Sequence, residues 1–322
     1  MKIVLAGGSG QIGRVLAEHF VPQGEEVVVL TRGDVAGVPA GTTGVPWDGV
    51  TAGPWCDGVD GSDVVINLAG RTVNCRYHDV NRRQIVDSRV DSTRVLGAAI
   101  AKAAAPPRVW LQSSTATIYA DAGTDPSGPA RDESGPIGGD EPDLPDTWRF
   151  SIDVATSWER ACHETDTPNT RKVLLRSAMT MSPHRDGVFD VLFGLVRKGL
   201  GGRQGGGGQY ISWIHDADFV AAVDRLIADE SLDGPVNLAA PHPLPNAEFM
   251  RTLRRAAGVP VGLPATALMV EVGAFFMRTE SELVLKSRRV VPGRLLDAGF
   301  EFVFPEWEAA ATDLVARRRA LA

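Results

Sequence analysis

Short apolar runs alternate with amphipathic stretches along most of this chain. Lys2–Ala6 (KIVLA), Glu26–Leu30 (EVVVL), Asp63–Leu68 (DVVINL), Arg108–Gln112 (RVWLQ) and Lys172–Leu175 (KVLL) are mostly β-branched or aliphatic. Apolar runs of this length, lacking polar alternation, fit strands buried on both faces of a sheet. Between them, Ile12, Leu16 and Phe20 recur at helical spacing in Gln11–Phe20, and Ile85, Val90, Leu96 and Ile100 lie among the apolar positions of Asn81–Ala105. The alternation predicts right-handed βαβ units, hence an α/β fold with a doubly wound parallel sheet of Rossmann type. Val236–Ala239 (VNLA) is expected to add a late strand.

Two segments break the pattern. Ala120–Thr147 is rich in Gly, Pro, Asp and Glu, and Gly199–Gly208 (GLGGRQGGGG) is flexible by composition. Both are expected to act as lids, the second leading into an aromatic strand-like run, Gln209–His215 (QYISWIH). From about Pro241 the pattern turns helical and mixed. The predicted organisation is a Rossmann domain of residues 1–182 and 211–240, with a smaller C-terminal substrate-binding domain of residues 183–210 and 241–322.

Composition narrows the partners. A formal net charge of −7 argues against nucleic acid, whose phosphates want a basic face. Cys56, Cys75 and Cys162 are too widely spaced for a disulfide framework or a cysteine zinc site, so no metal is expected and a reducing compartment is. The first strand starts at Lys2, leaving no stretch for a signal peptide ahead of it. Ala265–Met277 is apolar but short of the ~20 residues that span a bilayer, and Glu271 interrupts it. A buried helix, no membrane association and a cytoplasmic location are expected.

The chemistry sits at strand ends. Gly7-Gly8-Ser9-Gly10-Gln11-Ile12-Gly13 joins the first strand to the first helix. Glycines there allow a tight turn, close approach of backbone to a pyrophosphate, and packing of helix on strand. The phosphates then rest on the free N–H groups of the helix N-terminus. The second strand ends Leu30-Thr31-Arg32, with no acid until Asp34. NAD sites place a carboxylate there for the ribose 2′-hydroxyl, whereas a guanidinium pairs with a 2′-phosphate. NADP(H) is the expected cofactor, the plainer reading of Arg32 being a solvated surface residue. Asn67-Leu68-Ala69-Gly70 closes a later strand with small residues at the same carboxyl edge.

These features resemble the extended, nucleotide-sugar-epimerase-like branch of the short-chain dehydrogenase/reductase superfamily. Gln112-Ser113-Ser114-Thr115-Ala116-Thr117-Ile118-Tyr119 matches its SS[ST]AT(V/I)Y stretch, placing Thr115 at the catalytic hydroxyl. Gln209–His215, Asn246-Ala247-Glu248-Phe249, Val290-Val291-Pro292, Ala298-Gly299-Phe300 and Phe304-Pro305 narrow the likeness to an atypical group labelled epimerase family protein, or NAD-dependent epimerase/dehydratase-like. The resemblance implies NADP, with Thr31, Arg32, Leu68, Ala69, Arg89 and Thr180 touching it, Gln84 as a weaker contact, and Ser113 beside them. It also raises a homodimer, with a small molecule as substrate.

One departure matters most. Ordinary members use Tyr-x-x-x-Lys, and Phe150 and Val154 stand at those two positions. Neither side chain moves protons. Tyr119 is the candidate replacement acid, although the matching tyrosine of extended epimerases is mostly structural. Asp153 and Glu159 share a helix but face different directions; His215, Asp216 and Asp218 read as surface pairing or helix capping. Two readings stay open: an atypical NADP(H)-dependent oxidoreductase or epimerase-like enzyme on a small organic substrate, or a non-catalytic NADP(H)-binding sensor or scaffold.

Overall fold

The computed structural model describes residues 1–276 and 282–321. Its strands are β1 (Lys2–Ala6), β2 (Glu26–Thr31), β3 (Thr43–Pro46), β4 (Val64–Asn67), β5 (Val109–Thr115), β6 (Arg171–Ser177), β7 (Met179–Met181), β8 (Tyr210–Ile211), β9 (Trp213–His215), β10 (Gly234–Leu238) and β11 (Leu244–Pro245). The helices are α1 (Gln11–Phe20), α2 (Cys56–Val59), α3 (Asp79–Lys102), α4 (Asp146–His163), α5 (Val188–Arg197), α6 (Asp216–Ala228), α7 (Asn246–Ala257), α8 (Ala267–Phe276), α9 (Glu282–Leu285), α10 (Gly293–Asp297) and α11 (Trp307–Ala320).

Seven parallel strands make the central sheet in the order β10-β6-β5-β4-β1-β2-β3. Strand alternation sends Ile3 and Leu5 to one face, under Val15, Leu16 and Phe20 of α1 and Phe219 and Val223 of α6. Val4 and Ala6 go to the other face, with Trp110 and with Val95, Leu96 and Ile100 of α3. Both faces are covered, which explains the near-continuous apolar runs. The chain leaves β1 toward β2 and β3, then crosses back to β4, β5 and β6. The order therefore reverses between β1 and β4, where open α/β sheets bind their ligands.

A second apolar cluster joins Phe189 and Phe193 of α5, Phe249 and Leu253 of α7, and Trp307 and Leu314 of α11 around Trp213. Asp216 fastens α11 to α6 through a two-point ion pair with Arg317 at 2.8 and 2.9 Å. The C-terminal chain also returns to the sheet, because Leu295 of α10 is buried in the same cluster as Ile3 and Leu5.

Several expectations are revised. QYISWIH is two short strands: β8 pairs antiparallel with β11, and β9 pairs parallel with β7. Between them the Ser212 hydroxyl accepts the Val290 N–H at 2.8 Å and donates to the Arg288 carbonyl at 2.8 Å, and the ladder changes partner. The segment 120–147 is anchored rather than loose. Arg131 N–H donates to the Arg289 carbonyl, Val291 N–H to the Arg131 carbonyl, and Glu133 accepts the Asn237 and Arg294 N–H groups. The segment 199–208 is likewise paired to 263–265, and a Cβ on Gly202 would lie 2.4 Å from the Leu263 backbone. Its glycines permit close approach more than flexibility. The apolar stretch after Ala265 does form a helix, but α8 begins in solvent, with Leu268 69% and Met269 57% exposed. His215 is a buried residue whose ring accepts the Ala217 N–H and caps α6, while Asp218 accepts the Val303 and Phe304 N–H groups from the core. Burial chiefly lowers the His215 pKa and raises that of Asp218.

Candidate functional site

The glycine turn divides into residues the fold requires and one that faces open space. Gly7 has φ +74°, and a Cβ there would lie 2.8 Å from Ala69 Cα; at Gly13 a Cβ would lie 2.1 Å from the Gly8 carbonyl oxygen. A Cβ on Gly10 would meet only the Gly7 carbonyl oxygen, at 3.9 Å. Gly10 caps α1 without any side-chain hydrogen bond, and the first turn carries no acidic residue. The N-terminal amides of α1 therefore point, uncapped, past the least crowded glycine. Gln11 adds a buried side-chain amide nitrogen with no hydrogen-bond partner, lying where a side chain on Gly187 would have to be. Uncapped amides, an orphaned donor and room above Gly10 fit an anionic phosphate group. Gly13→Ala is expected to destabilise the fold by a few kcal/mol, because backbone must move. Urea unfolding checks it, and a midpoint equal to wild type contradicts the packing argument.

The neighbouring strand ends converge on this turn. The Gly7 N–H donates to the Leu30 carbonyl at 2.8 Å, and the buried Thr31 hydroxyl donates to Ser9 Oγ at 3.2 Å. Arg32 is exposed directly after Thr31, and Asp34 accepts the Ala36 N–H at 2.9 Å, capping a short turn. On the other side, Asn67 accepts the Ala69 N–H at 3.0 Å and donates to Gln112 and Thr93, holding Leu68 and Ala69 beside Gly7.

Arg89 lies under Gly70. Its Nη1 donates to the Arg71 and Ile85 carbonyls, both at 3.0 Å, and its guanidinium stacks over Trp158. Burial lowers its pKa to about 10, with no carboxylate in ion-pair contact among the described residues. Arg71 adjoins it with a buried, unpartnered Nη1. Among the described residues, neither of these two guanidinium groups at the carboxyl edge of β4 is ion-paired with a carboxylate. Ser113 and Thr115 are half-buried on one side of β5; the Thr115 hydroxyl oxygen accepts the Thr117 N–H at 3.2 Å, leaving its proton to donate. Thr180 is half-buried in β7, where it pairs with Ile214, and Gln84 is exposed on α3. No hydrogen bond among the described residues joins either one to the glycine turn.

Tyr119, the expected replacement acid, is enclosed instead. Its hydroxyl donates to Asn237 Oδ1 at 2.8 Å and accepts from Arg176 at 3.0 Å, with 2% exposure. Arg176 makes a two-point pair with Glu159 at 2.9 and 2.8 Å, and Ser114, which alternates with Thr115 along β5, donates to Glu159 at 2.6 Å. Burial is the main force raising the phenol's pKa. Burial alone would lower Arg176, but the Glu159 carboxylate outweighs it and holds the guanidinium above its ordinary value. Tyr119 therefore belongs to a framework on the side of β5 opposite Thr115, which is the structural role the resemblance gave its counterpart.

Phe150 and Val154, the residues that the resemblance sets at the dyad positions, pack in a small apolar cluster. Phe150 meets the Tyr77 ring edge-on at 4.9 Å between centroids, and Val154 and Ile85 complete the cluster. Sequence reasoning did not single out Tyr77, Arg71, or the C-terminal residues Glu282, Lys286 and Arg288, which pack beside Thr117 and Ser151. Nothing local in those stretches marks them, since the contacts join distant segments. Among the described residues no group of three His, Cys, Asp or Glu stands close enough to hold a metal, and no helix is long and apolar enough to cross a membrane.

A doubly wound parallel sheet with an uncapped glycine turn at its switch point is the architecture of the Rossmann-type dinucleotide-binding class. The chain belongs to the NAD dependent epimerase/dehydratase family, whose model matches residues 3–239, and residues 265–314 match a domain of unknown function, DUF1731. It is 30% identical to epimerase family protein SDR39U1 of Homo sapiens, over 98% of this chain and all of that one. It is 27% identical to epimerase family protein YfhF of Bacillus subtilis, over 99% of each. The crystal structure of human SDR39U1 (isoform2) with NADPH superposes with a TM-score of 0.83 at 28% identity, over 98% of this chain and 99% of that chain. The Bordetella bronchiseptica enzyme WbmG, in complex with NAD and UDP, is 17% identical with a TM-score of 0.75, covers 100% of this chain and 96% of that one, and shares the fold.

Proposed function

We propose that this chain is an atypical NADP(H)-dependent oxidoreductase or epimerase-like enzyme acting on a small organic substrate. The observation that carries the cofactor choice is the end of β2. There Thr31 is tied to Ser9 of the phosphate turn, Arg32 stands exposed beside it, and the first acid, Asp34, is engaged by its own turn. A 2′-phosphate would meet a hydroxyl and a guanidinium, and among the described residues no carboxylate ends β2 to prefer a bare ribose. The NADPH in the human relative supports the same choice.

In this reading the glycine turn, Gly7 to Gly13, lies along the pyrophosphate, which the free N-terminal amides of α1 hold, and Leu68, Ala69 and Gly70 lie against the adenosine side. Arg89, Ser113, Thr180 and Gln84 make the outer contacts. The cofactor, when bound, gives or takes a hydride. Thr115 donates its hydroxyl proton in a hydrogen bond to the substrate's reacting oxygen, and the cleft lies between the Rossmann domain (1–182 and 211–240) and the C-terminal domain (183–210 and 241–322). Free Cys56, Cys75 and Cys162 suit a cytoplasmic setting.

A second reading rests on the apolar packing of Phe150 and Val154 under Tyr77 and Ile85: binding of NADP(H) without turnover, as a sensor or scaffold. Following the absorbance of the reduced nicotinamide with candidate carbonyl substrates separates the two. Sustained oxidation that survives purification and disappears in Arg32→Ala excludes the non-catalytic reading. In the same variant NADPH should bind roughly tenfold to a hundredfold more weakly while NADH is unchanged, the loss of one or two charge-assisted hydrogen bonds. Equal weakening of both nucleotides would remove Arg32 from the 2′-phosphate.

A further inference from the structure

Residues 282–288 pack against both halves of the altered catalytic centre. On the sheet side, Lys286 Nζ donates to the Thr117 carbonyl at 2.8 Å, and Arg288 Nε donates to the Thr117 hydroxyl at 3.0 Å. Thr117 is itself bound to Thr115 through its N–H. On the helix side, Ser151, the neighbour of Phe150, donates to Glu282 at 3.2 Å, and Glu282 is ion-paired with Arg288. The C-terminal segment thus bridges the turn that bears the family's threonine and the helix that lacks its tyrosine.

Lys286 is the unusual member. Its side chain is 1% exposed, and among the described residues the Thr117 carbonyl is its one acceptor and no carboxylate is in ion-pair contact. An ammonium enclosed with a single acceptor is costly, and such costs concentrate at functional sites. The charges facing it are Arg288 and Glu282 on its own segment, and Asp121 and Glu141 on the anchored connector. Burial, then Arg288, push the amine down to about 8 against the pull of the three carboxylates. Near neutral pH it can both give and take a proton.

We propose that Lys286 moves the proton that the absent tyrosine would have moved, in the interconversion of a small carbonyl compound and its alcohol. The inference rests on the NADP(H)-dependent reading above. In the reducing direction the new C–H bond takes the hydride of NADPH at the carbonyl carbon, and the C=O π pair moves to oxygen. An O–H bond forms as one N–H bond of the Lys286 ammonium breaks, leaving a neutral amine, NADP⁺ and the alcohol. Solvent returns the proton to the amine, and Thr115 holds the reacting oxygen throughout. Oxidation runs the same transfers backwards.

The chain has five lysines, so ¹³Cε-labelled lysine gives a spectrum simple enough to assign by substitution. The signal lost in both Lys286→Met and Lys286→Arg should titrate near pH 8 in the wild type and shift when NADP⁺ is added. A Lys286 signal that titrates above pH 10 and ignores the nucleotide overturns the inference, whatever the turnover. With 9,10-phenanthrenequinone as carbonyl probe, wild-type NADPH oxidation should fall as pH rises through about 8, because the proton donor is lost. Lys286→Met should lose about a hundredfold or more in kcat while NADPH affinity stays within about twofold, and its residual rate should lack that limb. Turnover that persists in Lys286→Met with the same pH limb overturns this inference alone. Absence of turnover in the wild type overturns the proposed function and this step with it.

Discussion

Gly10→Leu abolishes NADPH binding while the protein stays folded: this is the expected result at the least crowded point of the glycine turn. The backbone at Gly10 has φ −78° and ψ −179°, which any residue adopts, and a Cβ there meets nothing closer than 3.9 Å. An isobutyl group is therefore accepted by the fold. It then stands over the α1 amides and fills the space that a pyrophosphate needs. The loss should exceed a hundredfold in Kd, with urea unfolding within about 1 kcal/mol of wild type. Undiminished binding would move the phosphate site elsewhere. Contrast with Gly13→Ala is informative, since that change attacks stability through the Gly8 backbone rather than the ligand.

Glu159→Ala should be among the most damaging single changes outside the site. It removes both acceptors of Arg176, the acceptor of Ser114, and the counter-charge that steadies the Tyr119 hydroxyl network. An uncompensated buried guanidinium costs roughly 3–5 kcal/mol. The double variant Glu159→Leu with Arg176→Met should recover much of that loss, because no charge is then left unpaired. Chemical denaturation of the singles and the double tests this. A Glu159→Ala protein within about 1 kcal/mol of wild type would contradict the framework role assigned to Tyr119.

The sheet was legible because buried parallel strands must be continuously apolar. Lys2–Ala6 and Glu26–Leu30 announce themselves, and the glycine turn between strand and helix is marked by the need for absent side chains at Gly7 and Gly13. The edge strand β3 (TGVP) was not legible, being only half-buried and containing a glycine and a proline. Nor was the break within QYISWIH, which depends on Ser212 bonding to residues near 290. Composition suggested mobile lids at 120–147 and 199–208, yet backbone pairing to 287–291 and 263–265 pins both. Periodicity cannot see a contact between strangers in sequence. The same limit hid the fate of Tyr119, whose partner Asn237 lies 118 positions away, and the gathering of Lys286, Glu282 and Arg288 around Thr117 and Ser151. Of the residues that the sequence places at the carboxyl edge, Thr31 bonds to Ser9 of the turn and Ala69 lies against Gly7, while Arg89 lies against Gly70.

Calorimetric titration of the wild-type chain with NADPH and, separately, NADH tests the central claim most directly. One nucleotide should bind per chain, NADPH at least several-fold tighter than NADH. The absence of heat with either dinucleotide, or equal affinity for both, would contradict an anion-binding turn flanked by a guanidinium that selects the phosphorylated ribose.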